Sequence, residues 1–194
     1  VMFFLYQILI AILLILSPLI ISIRILKRKE DKQRFKEKFC FPSKKRAKGN
    51  LIWFHGSSVG EILSILPLVY ELEKNNSINQ ILITSSTLSS AEIFKKFKLI
   101  KTVHQFFPID SIFFSHKFLK YWKPTIAIFV ESEIWPSIFK TLNVKNIPLL
   151  LLNARITRKT FIRWNHIKSF SNSVFKNISK AYPQNNETFN YLKK

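Results

Sequence analysis

The side chains best placed to do chemistry are three carboxylates and one guanidinium, each lying just after a short apolar run. Glu61 closes the stretch His55-Gly56-Ser57-Ser58-Val59-Gly60-Glu61, which follows Leu51–His55. A run of that length and β-branched, aromatic character suits a buried strand and is too short for a helix. From Gly60 onward, Ile62, Leu63, Ile65, Leu66, Val69 and Leu72 recur at helical spacing, so the stretch reads as strand, tight turn, helix. A carboxylate in the first helical turn complements the helix dipole. The same carboxylate, in a crevice at the carboxyl end of a strand, could instead act as a general base. Ser58 and Gly60 share its loop and offer a hydroxyl and an open backbone to a ligand. Glu131 and Glu133 flank one residue after Thr125–Val130. An unpaired carboxylate is costly to bury, so these two must be paired or face a wet crevice, unless Glu133 merely caps a helix that has Pro136 in its first turn. Arg155 follows the apolar run Ile147–Leu152; there it could grip a phosphate or carboxylate, or neutralise Glu131 or Glu133.

The elements that must position these groups alternate along the chain. Gln80–Thr84 reads as a second strand and Thr102–Phe107 as a third, with Thr125–Val130, Ile147–Leu152 and Ile178–Pro183 completing the set. Helical periodicity covers residues 91–97, with Ser89 or Ser90 as the N-cap, and residues 111–122, with Asp110 as the cap. A basic, aromatic helix is expected over Thr160–Asn177, and another opens at Asn186. Strands alternating with helices predict a doubly wound parallel α/β sheet. No G-x-G-x-x-G and no P-loop occurs, which argues against a dinucleotide site of the usual type.

The chain has 194 residues, 31 Lys+Arg against 11 Asp+Glu, and a formal charge of +20. Such self-repulsion calls for an anionic neighbour: phospholipid headgroups, a phosphorylated glycolipid or nucleic acid. Nucleic acid is the weakest of these, because the basic residues lack interleaved stacking rings and no nucleic-acid-binding motif follows. The single Cys40 rules out an internal disulfide, and the four histidines show no metal-ligand spacing, so no metal and no cofactor is expected.

Val1–Ile23 carries no charge and is dominated by Phe, Leu and Ile. Roughly 23 residues make about 34 Å of helix, enough to cross a hydrocarbon core of about 30 Å. Pro18 is expected to kink it. There is no charged leader before the run and no cleavage site after it, so it reads as an uncleaved single-pass anchor. Residues 24–49 form a basic juxtamembrane segment, with twelve Lys/Arg and three Asp/Glu between Arg24 and Lys48. It should grip anionic lipid and keep the domain behind it in the cytoplasm.

Taken in order, His55–Glu61, Thr84–Phe94, His104–Asp110, Glu131–Phe139 and Leu150–Thr157 resemble the motifs of the amino-terminal half of the Kdo transferases, which add 3-deoxy-D-manno-octulosonic acid to lipid A precursor. The resemblance implies a Rossmann-like sheet over residues 50–184, the acceptor-binding domain of a GT-B glycosyltransferase, with residues 185–194 starting the passage to a donor domain that is missing here. It also implies transfer from CMP-Kdo to lipid A precursor without a metal, at the inner face of the bacterial inner membrane. Glu61 matches the family's catalytic glutamate, its proton affinity raised by partial burial under Trp53 and Trp135. Glu131 and Arg155 match motifs that contact the acceptor or support the site, and Glu133 joins that network. Ser57 stands where the family usually has Val, and Ser132 where it has Thr. A membrane-tethered remnant that binds anionic glycolipid without chemistry is the alternative.

Overall fold

The computed structural model describes residues 2–193; Val1, the first residue of the expected anchor, and Lys194, the last of the expected final segment, lie outside the described residues. Six parallel strands form one sheet: β1 (Leu51–His55), β2 (Gln80–Ser85), β3 (Thr102–Phe106), β4 (Ile126–Val130), β5 (Leu149–Ala154) and β6 (Lys180–Pro183), in the order β3-β2-β1-β4-β5-β6. The chain therefore winds outward from β1 in one direction, crosses back, and winds outward from β4 in the other. This is the doubly wound arrangement, and its reversal point lies between β1 and β4.

Alternation along the strands divides the core in two. Leu51 and Trp53 point into a cluster with Phe118, Phe129, Phe139 and Leu142, under α4 (Ile112–Trp122) and α5 (Pro136–Val144). Phe54 points the other way, to Ile62, Ile65 and Val69 of α2 (Val59–Lys74) and to Ile81 and Ile83. Removing a large apolar side chain from either layer costs about 3 kcal/mol.

Three local expectations are corrected. The helix after β2, α3 (Leu88–Phe94), starts earlier than periodicity suggested and is capped by Thr87, whose hydroxyl accepts from Ser90 N, so neither Ser89 nor Ser90 is the cap. Ser111, not Asp110, caps α4 by accepting from Phe114 N. Asp110 instead reaches across to α5, where its carboxylate accepts from Ser137 N and Ile138 N, each at 2.9 Å. The basic helix is broken at Ile167 into α6 (Arg158–His166) and α7 (Lys168–Phe175), and the break lets Trp164 stack on Phe170. The last described helix is α8 (Asn186–Leu192).

The apolar amino-terminal run forms one helix, α1 (Met2–Leu26), which continues through Pro18 and is long and apolar enough to cross a membrane. It also touches the domain. Tyr6 Oη donates to Asp110 Oδ2 at 2.7 Å, Gln7 Nε2 donates to Ser137 Oγ at 2.8 Å, and the Phe3 and Tyr6 rings lie against Phe170. Protected positions along α1 are 3, 6, 7, 10, 14, 17, 21, 24 and 25, and every other described position is exposed. At about 100° per residue the protected positions fall within one stripe about 100° wide.

The basic segment that follows packs on β3 through Arg34 and Glu37. Glu30 is buried and accepts from both Arg24 (3.0 Å) and Lys38 (2.6 Å). Glu37, in a short 3₁₀ turn over Phe35–Phe39, is 1% exposed and accepts from Arg34 and from Phe106 N. Arg34 Nη2 lies 3.0 Å from His104 Nδ1, and Ser85 Oγ lies 2.8 Å from Nε2. Arginine only donates, so Nδ1 accepts, Nε2 holds the proton, and the ring is neutral. Burial, then the Arg34 charge, lowers the His104 pKa to about 3. A histidine with a depressed folded-state pKa stabilises the fold above its unfolded pKa of about 6.5, and that contribution is lost as pH falls toward the folded value. Between pH 7 and pH 5, above the carboxylate range, this residue alone should cost about 2 kcal/mol of stability. Urea titrations of the detergent-solubilised chain should record that decline, and His104→Gln should flatten it.

Candidate functional site

Two loops meet at the reversal point. After β1, Gly56 N donates to Thr84 O at 3.1 Å, and α2 then starts with Ser58 as its N-cap. Ser58 Oγ accepts from Glu61 N at 3.2 Å and donates to Glu61 Oε1 at 2.8 Å, while Ser57 N donates to Glu61 Oε2 at 2.8 Å. This is a variant of the capping box, in which the third helical residue's carboxylate reaches back to the preceding loop. Gly56 is needed for close approach: a Cβ there would stand 3.0 Å from Glu61 Cβ. Gly60 is exposed, and a Cβ there would meet only Ser58 Oγ at 4.0 Å, so it leaves the approach to the loop open.

After β4 the chain makes a tight turn in which Glu133 N donates to Val130 O at 3.3 Å, with Glu131 in the left-handed region at φ 57°. The turn brings Glu133 back over the end of β1. Its Oε2 accepts from Ser57 Oγ at 2.6 Å, from Trp135 Nε1 at 2.8 Å and from His55 Nε2 at 3.0 Å. His55 is fully buried, with its ring stacked 3.9 Å from Phe107 and its Nδ1 3.0 Å from Thr84 Oγ1. Pro136 opens α5 with Trp135 as N-cap residue and no side-chain cap, so Glu133 does not cap that helix.

Glu61, Ser57, Glu133 and His55 therefore form one connected network. Ser57 is its bridge, giving its N–H to one carboxylate and its hydroxyl to the other. Sequence reasoning passed over His55 and saw in Ser57 only an exchange for Val. The available signal for His55 was a polar residue ending an otherwise apolar strand. Trp53 does not bury Glu61: it lies on the other face of β1 and donates to Thr84 Oγ1. Trp135 is engaged with Glu133. The half-buried Glu61 is instead shielded by its own loop.

The environments push the two carboxylates apart. Burial raises the proton affinity of Glu61, hydrogen bonds from Ser58 and Ser57 oppose this, and the charges of Glu133 and Glu131 add to the rise, leaving it above the usual range. Burial also acts on Glu133, but the hydrogen bonds from His55, Ser57 and Trp135 and the electrostatic pull of the His55 ring outweigh it and hold Glu133 below that range. Glu131 is half-exposed, and its carboxylate makes no hydrogen bond or ion pair among the described residues. Arg155 does not neutralise either acid. Its guanidinium is exposed, and its part is played by the backbone: its N–H donates to Glu131 O at 3.3 Å and its carbonyl accepts from Ser132 Oγ at 2.7 Å. No cluster of three potential ligands that could hold a metal occurs among the described residues. A cavity of about 310 Å³ lies elsewhere, between α6, α7, β6 and α8, with Phe161, Trp164 and Tyr191 in its wall.

This arrangement yields a titration prediction. Carboxyl-carbon NMR of the chain labelled at glutamate should find Glu61 titrating above, and Glu133 below, a model-peptide glutamate. Glu133→Gln removes a negative charge from beside Glu61 and should lower the Glu61 midpoint; an unmoved midpoint would mean that the two groups are electrostatically independent.

Comparison with known proteins places the sequence in a family. The solved structure of a UDP-N-acetylglucosamine 2-epimerase superposes with a TM-score of 0.52 at 12% identity, covering 75% of this chain and 45% of that one, which is a likeness of fold. In sequence, the 3-deoxy-D-manno-octulosonic acid transferase of Rickettsia bellii is 42% identical over 183 residues, covering 93% of this chain and 43% of the relative. The enzyme of the same name from Haemophilus influenzae is 30% identical over 182 residues, covering 91% and 42%. The chain thus spans less than half the length of these curated relatives. The model of the 3-deoxy-D-manno-octulosonic-acid transferase (kdotransferase) amino-terminal region matches residues 33–194, and the chain belongs to that family.

Proposed function

We propose that this chain is the acceptor-binding half of a Kdo transferase of lipopolysaccharide synthesis, and that Glu61 is its general base. The observation that carries this reading is the pair of carboxylates at the reversal point of the sheet, one held ionised by three donors and one with raised proton affinity. Ligands of open α/β sheets collect at such a point, and a base is most effective when its pKa approaches the working pH. In the reaction, the acceptor sugar hydroxyl attacks the anomeric carbon of Kdo, the bond from that carbon to the CMP phosphate breaks, CMP departs with the bonding electrons, and the hydroxyl proton passes to Glu61.

The remaining residues take supporting roles in this reading. Glu133, tied to His55, sets the loop through Ser57 and supplies the charge that keeps Glu61 basic. Ser58 orients the Glu61 carboxylate, and Gly60 leaves room beside it. Glu131 and the exposed Arg155 guanidinium face outward, available to the hydroxyls and phosphates of lipid A precursor. CMP-Kdo would be held by a donor domain of the kind the longer relatives have length to contain. The excess of basic residues suits a phosphorylated glycolipid among anionic lipids, at the cytoplasmic face of the bacterial inner membrane.

The test adds a donor half from a relative. Membranes containing this chain together with the carboxyl-terminal part of the Rickettsia bellii relative should transfer radiolabelled Kdo from CMP-Kdo to lipid A precursor. Glu61→Gln should reduce transfer by at least about 100-fold while leaving circular dichroism and the urea midpoint in place. Full turnover by that variant would dismiss the base assignment.

A further inference from the structure

We propose that α1 lies in the plane of an anionic bilayer instead of crossing it, with one stripe on the domain and its opposite face in the acyl layer. The inference uses the membrane location proposed above but not the sugar chemistry, so either can fail without the other.

Both ends of the helix are tied to the same side of the domain. At its start, Tyr6 and Gln7 bond to Asp110 and Ser137. Near its end, Arg24 bonds to Glu30, which is held by Lys38, and Lys38 O accepts from Ile109 N. Tyr6 and Arg24 are separated by about 27 Å of helix, so a rod pinned at both points must run along the surface between them. The continuous protected stripe agrees, because a helix leaving the domain would be protected at one end only.

A spanning helix would carry Tyr6 far into the hydrocarbon or past it, and its partners with it. Asp110 is buried beside Tyr6, and the Lys140 ammonium sits 4.3 Å from the Phe3 ring. Taking those groups and the α5 terminus into lipid is disfavoured, and releasing them would leave Asp110 with one donor fewer. The uncovered face cannot be left in water either. Phe4 is 68% exposed, Ile15 78% and Leu19 63%, which together with their neighbours forms a continuous apolar surface larger than soluble monomers tolerate. A bilayer boundary fits both facts, since it accepts an apolar face while the rest of the protein stays wet. Cations follow this face at its carboxyl end, the exposed Lys27, Arg28 and Lys29 beyond Leu26, where headgroup phosphates would lie, and Lys140 sits over Phe3 on the domain side of the helix start. Asp110 and Ser137 follow the carboxyl ends of β3 and β4, the rim that also carries Glu133. The membrane surface would thus adjoin the crevice, and a lipid-linked acceptor could enter by lateral diffusion.

The test is a depth profile of the whole chain in phosphatidylcholine–phosphatidylglycerol vesicles. Spin labels are placed through Ile8→Cys, Ile12→Cys, Leu16→Cys, Leu19→Cys and Ile23→Cys, all on the face opposite the stripe. Cys40 does not compete: it is buried, its Sγ donates to Phe114 O, and burial pushes its thiol up to about 12. Oxygen and nickel-chelate relaxation should give all five labels the same shallow depth. A depth that increases to mid-helix and then falls over the roughly 22 Å between the outer labels would overturn the proposal in favour of a spanning helix. Labels inaccessible to oxygen and dipolar-coupled between chains would overturn it in favour of a second copy of the protein.

Discussion

β1 and β4 are neighbours in the sheet, yet the chain leaves them in opposite directions, and this divergence is the constraint on which the candidate site depends. Where two adjacent loops part, no helix covers the strand ends, so polar groups can gather there without losing water. The His55–Glu133 contact at 3.0 Å joins the two strand ends across that gap. It holds the turn after β4 against the loop after β1, and Ser57 carries the connection on to Glu61.

The two acids differ in which force dominates. Both are partly desolvated, which favours the neutral form of each. Glu133 receives three donors on one oxygen, and these restore more than burial removes. Glu61 receives two donors from its own loop but lies in the field of Glu133 and Glu131. The capping interaction and the proposed chemical role are therefore not rivals: the bonds that cap α2 also hold the Glu61 carboxylate in one orientation. The left-handed backbone at Glu131, a conformation that costs a non-glycine residue about 1 kcal/mol or more, is what turns the chain sharply enough to place Glu133 over His55.

A chain with 31 basic and 11 acidic residues has few carboxylates to spare, and three of them are buried where the amino-terminal part meets the sheet. Glu37 binds the basic segment to β3, Glu30 ties that segment to the end of α1, and Asp110 receives Tyr6 and the start of α5. Each is paired or hydrogen-bonded, as burial requires. Their effect is to make the apolar helix and the cationic segment parts of the folded domain.

The doubly wound sheet was legible from the amino-acid sequence because short apolar runs alternating with helical periodicity report burial directly, and the motif order around Glu61, Glu131 and Arg155 placed the chain among the Kdo transferases. Those are local signals. Which side chain caps which helix was misread at Ser89, Ser90 and Asp110, because Thr87 and Ser111 stand close by as equally suitable caps and backbone geometry selects between them. The roles of His55 and Ser57 depend on Glu133, 78 and 76 positions away, and the failure of Arg155 to pair with either acid depends on how the ends of β4 and β5 are laid side by side, so only the packing of the strands could decide them. Likewise the composition of α1 specifies an apolar helix, while the ties at Tyr6 and Arg24 decide that it follows the domain surface, because a helix pinned at both ends has lost the freedom to turn away.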